Sequence, residues 1–581
     1  MKRTFAALAL MAGLGSSTAA SALPGFYAGQ GSEKRLVRST QIVVAQKGGA
    51  SVITVMPDYE GPLTPFALVL AVPGDVVLDR VKSLKREYVD RLDQMTAPRF
   101  HEFWEMDPCE PGPAEQIWEQ TFKASGDTDF LGGPKIGDDS KKVAKELFIP
   151  VDADFKEGEY ALTLLADAEA RDVAGFLGKK GLTAPAGAND AVRPYLDAGM
   201  KLLVAEVDTK RIELAGGNVA ILSPLRYWSE REQSSLPLKL GLLSTEGKQE
   251  LLIYTLHPDS RMEAKNYENV FAPTNIAVDF VVKERMGELY AGLHDISLAK
   301  NPKAILNEYA WSSEGCGKPC PNAPILPHEL ISLGGDVFEQ SVPEAERNPV
   351  PDELSEEEKK AHEAKLKELT GKERREYEKS FEEERKEVAR KRALIARNKY
   401  VISRLHHRYD ASNLPHDIEL RTAGAVSGGG GTPKGATREV STAVAEGSKN
   451  ELQTRFNHFH PWKGMMQCET PERNRWGKPP KTYRGLRKIW IATDLSRKNR
   501  AQIEPAKVVF TPVPALGLTG VVPDADAGAD AGAAAAEPKK SACGCRVVGA
   551  AGTSSAFGLL LGLGLAALGL RRRRARLPAQ G

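Results

Sequence analysis

A stretch of 24 residues without a charge, 547–570, is the feature that most constrains what this chain can fold into. As a helix rising about 1.5 Å per residue, it is long enough to cross a hydrocarbon core of about 30 Å. The cluster that follows it consists of Arg571, Arg572, Arg573 and Arg574. Because such clusters stay in the cytoplasm, the pattern predicts a C-terminal transmembrane helix, a basic cytoplasmic tail at 571–581, and a body across the membrane.

The first 22 residues contain the three parts of a secretory signal peptide in order. Two basic residues form the charged start, residues 5–14 form an apolar run too short to span a membrane, and Ala20-Ser21-Ala22 fits a cleavage site. We therefore predict a signal peptide at 1–22, a mature chain that begins at Leu23, and export.

The chain as a whole is electrically balanced. Lysine and arginine number 79, and aspartate and glutamate number 77, so the net charge is only +2. Because there is no strong positive field to attract a polyanion, we predict no nucleic-acid partner. Residues 23–515 are long enough for two or three domain-sized units.

Six cysteines are present, of which Cys543 and Cys545 belong to the tail. The four in the body are Cys109, Cys316, Cys320 and Cys468. Four cysteines in an exported protein predict two disulfides, which can be connected in three ways. The short spacing of Cys316 and Cys320 favours a local structural disulfide over a redox pair, and that pairing leaves Cys109 with Cys468.

The body opens with patterns typical of strands. Residues 41–45 and 51–55 are rich in β-branched side chains and flank a glycine pair, which predicts a hairpin. Residues 66–72 are apolar throughout and predict a central strand covered on both faces. Residues 79–104 change to a three-to-four residue apolar period, which predicts a helix.

Further along, four more segments have strand patterns. They are 200–207, 238–243, 250–256 and 276–282. The middle two flank a short loop that contains a glycine, which predicts a second hairpin. The strands do not alternate regularly with helices, so we predict an α+β fold: a largely antiparallel sheet body with interspersed helices, divided into 23–342 and 399–515.

The two parts of the body are separated by a charged helical insertion at 343–398. Within 352–392, 27 of 41 residues are charged, 14 acidic and 13 basic. Capping boxes at Ser355 with Glu358 and at Thr370 with Glu373 predict two helices. The predicted i,i+4 pairs are Glu356/Lys360, Glu363/Lys367, Glu382/Lys386 and Glu387/Lys391. We favour a solvated insertion over a helical arm that lies on the body or pairs with another helix.

Two segments have low-complexity composition. Residues 423–436 are rich in glycine and small residues and predict a flexible surface loop. Residues 516–546 contain alternating Asp, Ala and Gly followed by the cysteine motif, and they predict a stalk between the body and the membrane.

Several motifs of the body are typical of one family. They are Tyr59-Glu60-Gly61-Pro62 with Phe66-Ala67-Leu68-Val69, Ala97-Pro98-Arg99, Trp104-Glu105-x-Asp107-Pro108-Cys109, Leu222-Ser223-Pro224-Leu225-Arg226, Tyr309-Ala310-Trp311, Arg404-Leu405-His406-x-Arg408-Tyr409 and His460-Pro461-Trp462-x-Gly464. On these motifs the body, from about residue 23 to about residue 513, resembles the Domain of Unknown Function 2330 family. The charged insertion and the glycine-rich loop depart from the family pattern. The family has no assigned activity, so the resemblance implies a fold but no reaction.

The end of the chain is similar to the myxobacterial C-terminal sorting tag, which has a cysteine motif, a membrane span and an arginine cluster in that order. The resemblance implies cleavage near Cys543 or Cys545 by a sorting protease and anchoring of the body at the cell surface. A permanent transmembrane helix is the alternative.

Few residues of the chain are candidates for catalysis or metal binding. The four histidines that could form a metal site are His406, His407, His458 and His460. Because no cysteine or carboxylate accompanies them at ligand spacing, we favour structural or surface histidines and assign no catalytic residue, cofactor or metal. The sequence favours a membrane-anchored binding or structural module with an unknown surface ligand. The alternative is an exported hydrolase or metal-dependent enzyme that uses these histidines.

Overall fold

The computed structural model describes residues 23–110, 155–156, 158–216, 219–313, 325–477 and 503–521. All of them belong to one compact unit. The predicted signal peptide, the transmembrane segment with its basic tail, and four of the cysteines (Cys316, Cys320, Cys543 and Cys545) lie outside these residues. None of the helices within the described ranges has the length and apolar character needed to span a membrane.

The strands form four sheets. The largest contains β2 (Ser39–Lys47), β3 (Ala50–Glu60), β5 (Val81–Leu84), β7 (Phe155–Lys156), β10 (Glu213–Gly216), β11 (Val219–Ile221), β12 (Leu225–Ser229), β14 (Gln249–His257), β16 (Asn269–Phe271), β18 (Ile305–Ser312), β19 (Val401–Tyr409), β21 (Val426–Gly428), β22 (Ala445–Glu446) and β23 (Glu451–Gln453). The second contains β1 (Gly25–Gly29), β4 (Phe66–Val72), β8 (Tyr160–Leu164) and β9 (Lys201–Val207). The third contains β13 (Ser235–Leu236), β15 (Arg261–Ala264) and β20 (Ile418–Ala423), and the fourth contains β6 (Arg99–Glu105), β17 (Ile276–Ala277), β24 (Arg455–His460) and β25 (Trp476–Gly477).

The helices in the described residues lie between the strands in sequence. They are α1 (Arg86–Thr96), α2 (Asp167–Arg171), α3 (Val173–Lys179), α4 (Ala188–Asp197), α5 (Met286–Ser297), α6 (Pro327–Leu330), α7 (Asp336–Glu339), α8 (Glu344–Arg347), α9 (Glu356–Glu368) and α10 (Gly371–Arg397). One π-helical turn, Ile331–Gly335, joins α6 to α7. Since most strand pairs are antiparallel, the predicted α+β class with a largely antiparallel sheet is confirmed.

The largest sheet and the second sheet pack face to face and bury the main core. Phe66, Leu68 and Leu70 of β4 point into this core, whereas the alternate residues Ala67 and Val69 pack under α2 to α4. β4 lies between β1 and β9, and all seven of its residues are buried. The predicted central strand at 66–72 is therefore confirmed, because an apolar side chain on either face finds a covering layer.

The two predicted hairpins had different outcomes. β2 and β3 pair antiparallel around Gly48 and Gly49, whose φ angles are 62° and 82°, so the first hairpin is confirmed. The second hairpin is wrong, because residues 238–243 form a 3₁₀ helix (Leu238–Leu243). The predicted strand at 250–256 exists as β14, but it pairs with β2 in parallel and with β19 antiparallel.

Two other element predictions require correction. The predicted helix over 79–104 shrinks to α1, with β5 before it and β6 after it. Helix α1 ends at Thr96 because Pro98 disfavours a helical conformation at the preceding Ala97, which caps the helix with ψ 144°. In the predicted strand at 276–282, only β17 is extended, and Asp279 caps a 3₁₀ turn by accepting a hydrogen bond from Val281 N. The predicted strand at 200–207 is confirmed as β9.

The charged insertion is a hairpin of α9 and α10. The Ser355 and Glu358 capping box is present, whereas the Thr370 side chain caps nothing. His362 of α9 stacks on Phe381 of α10 with ring centroids 4.0 Å apart. The predicted pairs Glu382/Lys386 and Glu387/Lys391 form at 3.8 and 3.4 Å. Only Leu394 of these two helices is buried, where it packs on Ile331.

We predict that replacing 352–392 with a short Gly/Ser linker will lower the melting temperature by less than 10 °C, because the removed residues bury little apolar surface. The ends can be joined, since Asp352 and Arg392 form an ion pair of 2.7 Å. The matched control is Leu394→Ala, which keeps the hairpin but removes the buried contact and should cost about 2 kcal/mol or more. A drop of more than about 10 °C in the melting temperature, measured by thermal unfolding, contradicts the solvated-insertion model.

The glycine-rich loop is more constrained than its composition predicts. The carbonyl oxygens of Gly430 and Gly431 accept hydrogen bonds from the buried Arg455, and Asn275 also donates to Gly430. A side chain at Gly429, where φ is 77°, would place Cβ only 1.8 Å from Gln453 O. The composition did not predict these hydrogen bonds, because Asn275 and Arg455, which donate them, lie elsewhere in the sequence.

Candidate functional site

The four candidate histidines do not gather into one site. His406 and His407 are neighbours on β19 and therefore point to opposite faces of the largest sheet. His458 and His460 lie on β24 of the fourth sheet, where His458 Nδ1 contacts Val278 O at 3.2 Å. Within the described ranges, no group of three or more histidine, cysteine, aspartate or glutamate residues is arranged to hold a metal ion.

His406 instead belongs to a buried ionic network beneath α1 and α5. We define this network as Asp93, Glu250, Asp295, Glu308, Arg404, His406 and Arg408. Three of its members, Arg404, His406 and Arg408, alternate along β19 and so point to the same face. The neighbouring strands β14 and β18 supply the two glutamates, and the two helices supply the two aspartates.

At its most buried end the network contains Arg404, which is fully buried. Its Nε donates to Glu308 Oε2 at 2.6 Å, and its Nη1 donates to Asp93 Oδ1. Tyr254 Oη also lies 2.8 Å from Asp93 Oδ1. Burial alone would lower the pKa of Arg404, but Tyr254, Asp93 and Glu308 outweigh burial and raise it.

The centre of the network is His406, which lies between two carboxylates. Its Nε2 is 2.6 Å from Glu250 Oε2, and its Nδ1 is 2.9 Å from Glu308 Oε1 and 2.7 Å from Tyr290 Oη. Burial lowers the pKa of His406, but Glu308 and Glu250 outweigh it and raise the pKa to about 9. The ring is therefore a cation at neutral pH with both nitrogens engaged, which makes it a poor metal ligand.

The network approaches the surface through Arg408. Arg408 Nε donates to Glu250 Oε1 and its Nη1 donates to Asp295 Oδ1, each at 2.8 Å. The Asp295 side chain is 27% exposed, the largest exposure in the network. Burial raises the pKa of Glu250, but Arg408 and His406 outweigh it and lower the pKa to about 2. The chain of charges thus joins three strands to two helices.

Sequence reasoning could have found only part of this network. The alternation of Arg404, His406 and Arg408 in a strand-like run signals one charged face, and a charged face that is buried requires partners. Asp93 gave no comparable signal, since it lies 311 residues before Arg404. Glu308 directly precedes the Tyr309-Ala310-Trp311 motif but has no sequence feature that sets it apart.

A second cluster holds the motifs Trp104-Glu105 and His460-Pro461-Trp462 together. Glu105 is 5% exposed and accepts hydrogen bonds from Trp462 N, Asn474 N and Arg473 Nε at 2.6 to 2.8 Å. A disulfide joins Cys109 to Cys468, which are 359 residues apart in sequence. The predicted pairing of these two cysteines is confirmed, while Cys316 and Cys320 lie outside the described residues.

The buried histidines predict that stability peaks near pH 6.5. His406 has a raised pKa, so its contribution is complete below pH 6.5 and disappears as the pH rises through about 9. Burial lowers the pKa of His294 and His458 to about 4 and of His407 to about 3, so their contributions disappear as the pH falls from 6.5 towards these values. Urea midpoints measured from pH 4 to pH 9.5 test this, and His406→Gln should flatten only the alkaline limb.

These features define a disulfide-linked α+β protein with an interior ion network. The chain belongs to the family described as an uncharacterized protein conserved in bacteria, DUF2330, whose model matches residues 18–421. No curated protein and no solved structure matches the chain. The resemblance predicted for the body is therefore confirmed as far as residue 421. The match includes every member of the ionic network, whereas Cys468 and the sorting-tag resemblance lie beyond it.

Proposed function

We propose that this protein is an exported binding or structural module, anchored in the cell envelope by its C-terminal segment. The observation that carries the proposal is the Cys109–Cys468 disulfide. Disulfides persist in oxidising compartments outside the cytosol, and this one links two distant parts of the body. It agrees with the signal peptide expected at 1–22 and with the membrane segment expected at 547–570.

The buried ionic contacts support a binding or structural module with a rigid body. The ionic network ties β14, β18 and β19 to α1 and α5, and the Glu105 cluster fixes the loop between β24 and β25. The histidine-based enzyme draws no support from these contacts, because the carboxylates around His406 engage both of its ring nitrogens. We therefore retain the binding or structural module as the proposed function.

Fractionation of a bacterium that expresses the full chain tests export and anchoring. We expect the chain in the envelope fraction, with Cys109 and Cys468 resistant to alkylation until the protein is reduced. The control lacks residues 1–22 and should stay in the cytosol with both thiols reactive. A full-length chain that behaves like this control would overturn the proposal.

Intact-mass measurement of the envelope form then distinguishes the two anchoring modes. We favour processing, which gives a chain that ends near Cys543 or Cys545, and the double change Cys543→Ser with Cys545→Ser should abolish that cleavage. A mature chain that still ends at Gly581 would instead identify a permanent transmembrane helix and leave the export proposal intact.

A further inference from the structure

Helix α5 lies between the ionic network and the segment 503–521. Tyr290 contacts His406 through its hydroxyl group, and Asp295 pairs with Arg408. The same helix packs Met286, Leu289 and Leu293 against apolar side chains of segment 503–521. These are Ile503, Val508, Val509, Val513 and Leu518. A movement of α5 relative to the largest sheet would therefore disturb the contacts that hold segment 503–521.

The contact between α5 and this segment is close. Ile503 N donates a hydrogen bond of 3.3 Å to Glu288 O. A Cβ atom at Gly292 would lie 2.3 Å from Ile503 O, so only glycine lets the segment approach the helix this closely. Segment 503–521 also bonds to the fourth sheet, where Phe510 N donates to Ala277 O at 2.8 Å.

His294 of α5 is a buried base that is poorly hydrogen-bonded within the described part of the chain. It is 2% exposed, and among the described residues neither of its ring nitrogens has a hydrogen-bond partner. Its ring centroid is 4.6 Å from that of the His406 imidazolium. Asp295 Oδ1 lies 3.5 Å from the Nδ1 of His294 and also accepts a hydrogen bond from Arg408.

The charged and titratable groups around His294 come from every element packed on it. They are Tyr290 and Asp295 on α5 itself, Glu250 on β14, Glu308 on β18 through its contact with His406, and His406, His407 and Arg408 on β19. A proton on His294 would place a second imidazolium beside the His406 cation and near Arg408. Because the surrounding carboxylates already pair with these cations, the new charge would be poorly compensated.

We propose that His294 is a proton-operated latch: its protonation loosens α5 from the largest sheet and thereby releases residues 503–521 from α5. Release relieves the charge conflict, because an undocked α5 exposes the imidazolium to water. Segment 503–521 includes the first residues of the stalk predicted at 516–546, so the latch would couple external pH to the attachment of the body to its stalk. The latch itself requires neither export nor anchoring.

The direction of the response follows from the protonation equilibrium. Burial outweighs the opposing effect of Asp295 and, with a smaller contribution from His406, lowers the pKa of His294 to about 4, whereas an exposed histidine titrates near 6.5. The undocked form therefore binds more protons between these values and gains population as the pH falls from 6.5 to 4. The shift of about 2.5 pH units allows a change of up to about 300-fold in the docking equilibrium.

Hydrogen exchange of the full chain at pH 7 and pH 4.5, corrected for the intrinsic rate at each pH, tests the latch. We expect peptides from 286–297 and 503–521 to lose protection at least tenfold, while peptides from β4 and β9 keep theirs. His294→Gln cannot be protonated and should keep both peptides protected at pH 4.5. His458→Gln removes a different buried histidine, on β24, and should respond like the unmodified chain.

Three results would overturn the latch. One is equal protection of 503–521 in the unmodified chain at both pH values. Another is loss of protection in β4 and β9 together with 503–521, which is global unfolding. The third is release of 503–521 at pH 4.5 in a folded His294→Gln chain, because the proton would then act elsewhere.

Discussion

Glu308→Gln will lower the free energy of unfolding by about 3 to 5 kcal/mol, the largest effect we expect from a single interior change. Glu308 is fully buried and pairs with Arg404 through one oxygen and with His406 through the other. Glutamine keeps the shape but removes the negative charge, so two buried cations lose their shared partner. Urea unfolding monitored by circular dichroism measures the loss.

The control for this change is an exposed ion pair. Lys34 and Glu246 pair at the surface with side chains 73% and 47% exposed, so Glu246→Gln should cost no more than about 1 kcal/mol. If Glu308→Gln costs as little as this control, the network does not hold the fold together. Asp93→Asn removes the other charge bound to Arg404 and should also be strongly destabilising.

Removing the Cys109–Cys468 disulfide has the second large expected effect. The double change Cys109→Ser with Cys468→Ser should cost about 5 to 6 kcal/mol, because the bond closes a loop of about 360 residues and restricts the unfolded chain. The unfolding midpoint in urea, compared with that of the oxidised chain, measures the loss.

The matched control is Cys316→Ser with Cys320→Ser. A bond between neighbours this close in sequence closes a very short loop, so its removal should cost only about 2 kcal/mol. A smaller loss for the long-range pair than for this local pair would contradict the chain-entropy explanation. Equal unfolding of the oxidised and the reduced chain would show that the long-range bond does not stabilise the fold.

Some parts of this structure follow from signals within a few residues. The turn at Gly48 and Gly49 is one, because two glycines provide the positive φ angles that the first hairpin requires. The capping box of Ser355 with Glu358 is another, because both partners lie in the same helical turn. Such elements were predictable because their energetics depend on neighbours along the chain.

Other segments had a local pattern that the tertiary structure overrode. Residues 238–243 are apolar like a strand, yet Gly241 lies against the backbone of Leu23 and the segment forms a 3₁₀ helix. β14 was expected to pair with that segment, but β2 and β19 flank it instead. Burial against partners distant in sequence decided both outcomes.

The sequence by itself determined the local turns, the capped helices, the apolar central strand and the family resemblance of the body. Only the tertiary structure decided the pairing of β14, the hydrogen bonds around the glycine-rich loop and the partners of Arg404 and His406. Glu308 and Asp93 lie 96 and 311 residues from Arg404, and nothing in their own surroundings marks them. Periodicity reports which face of an element is buried, whereas the choice of charged partners depends on which distant segments the folded chain brings together.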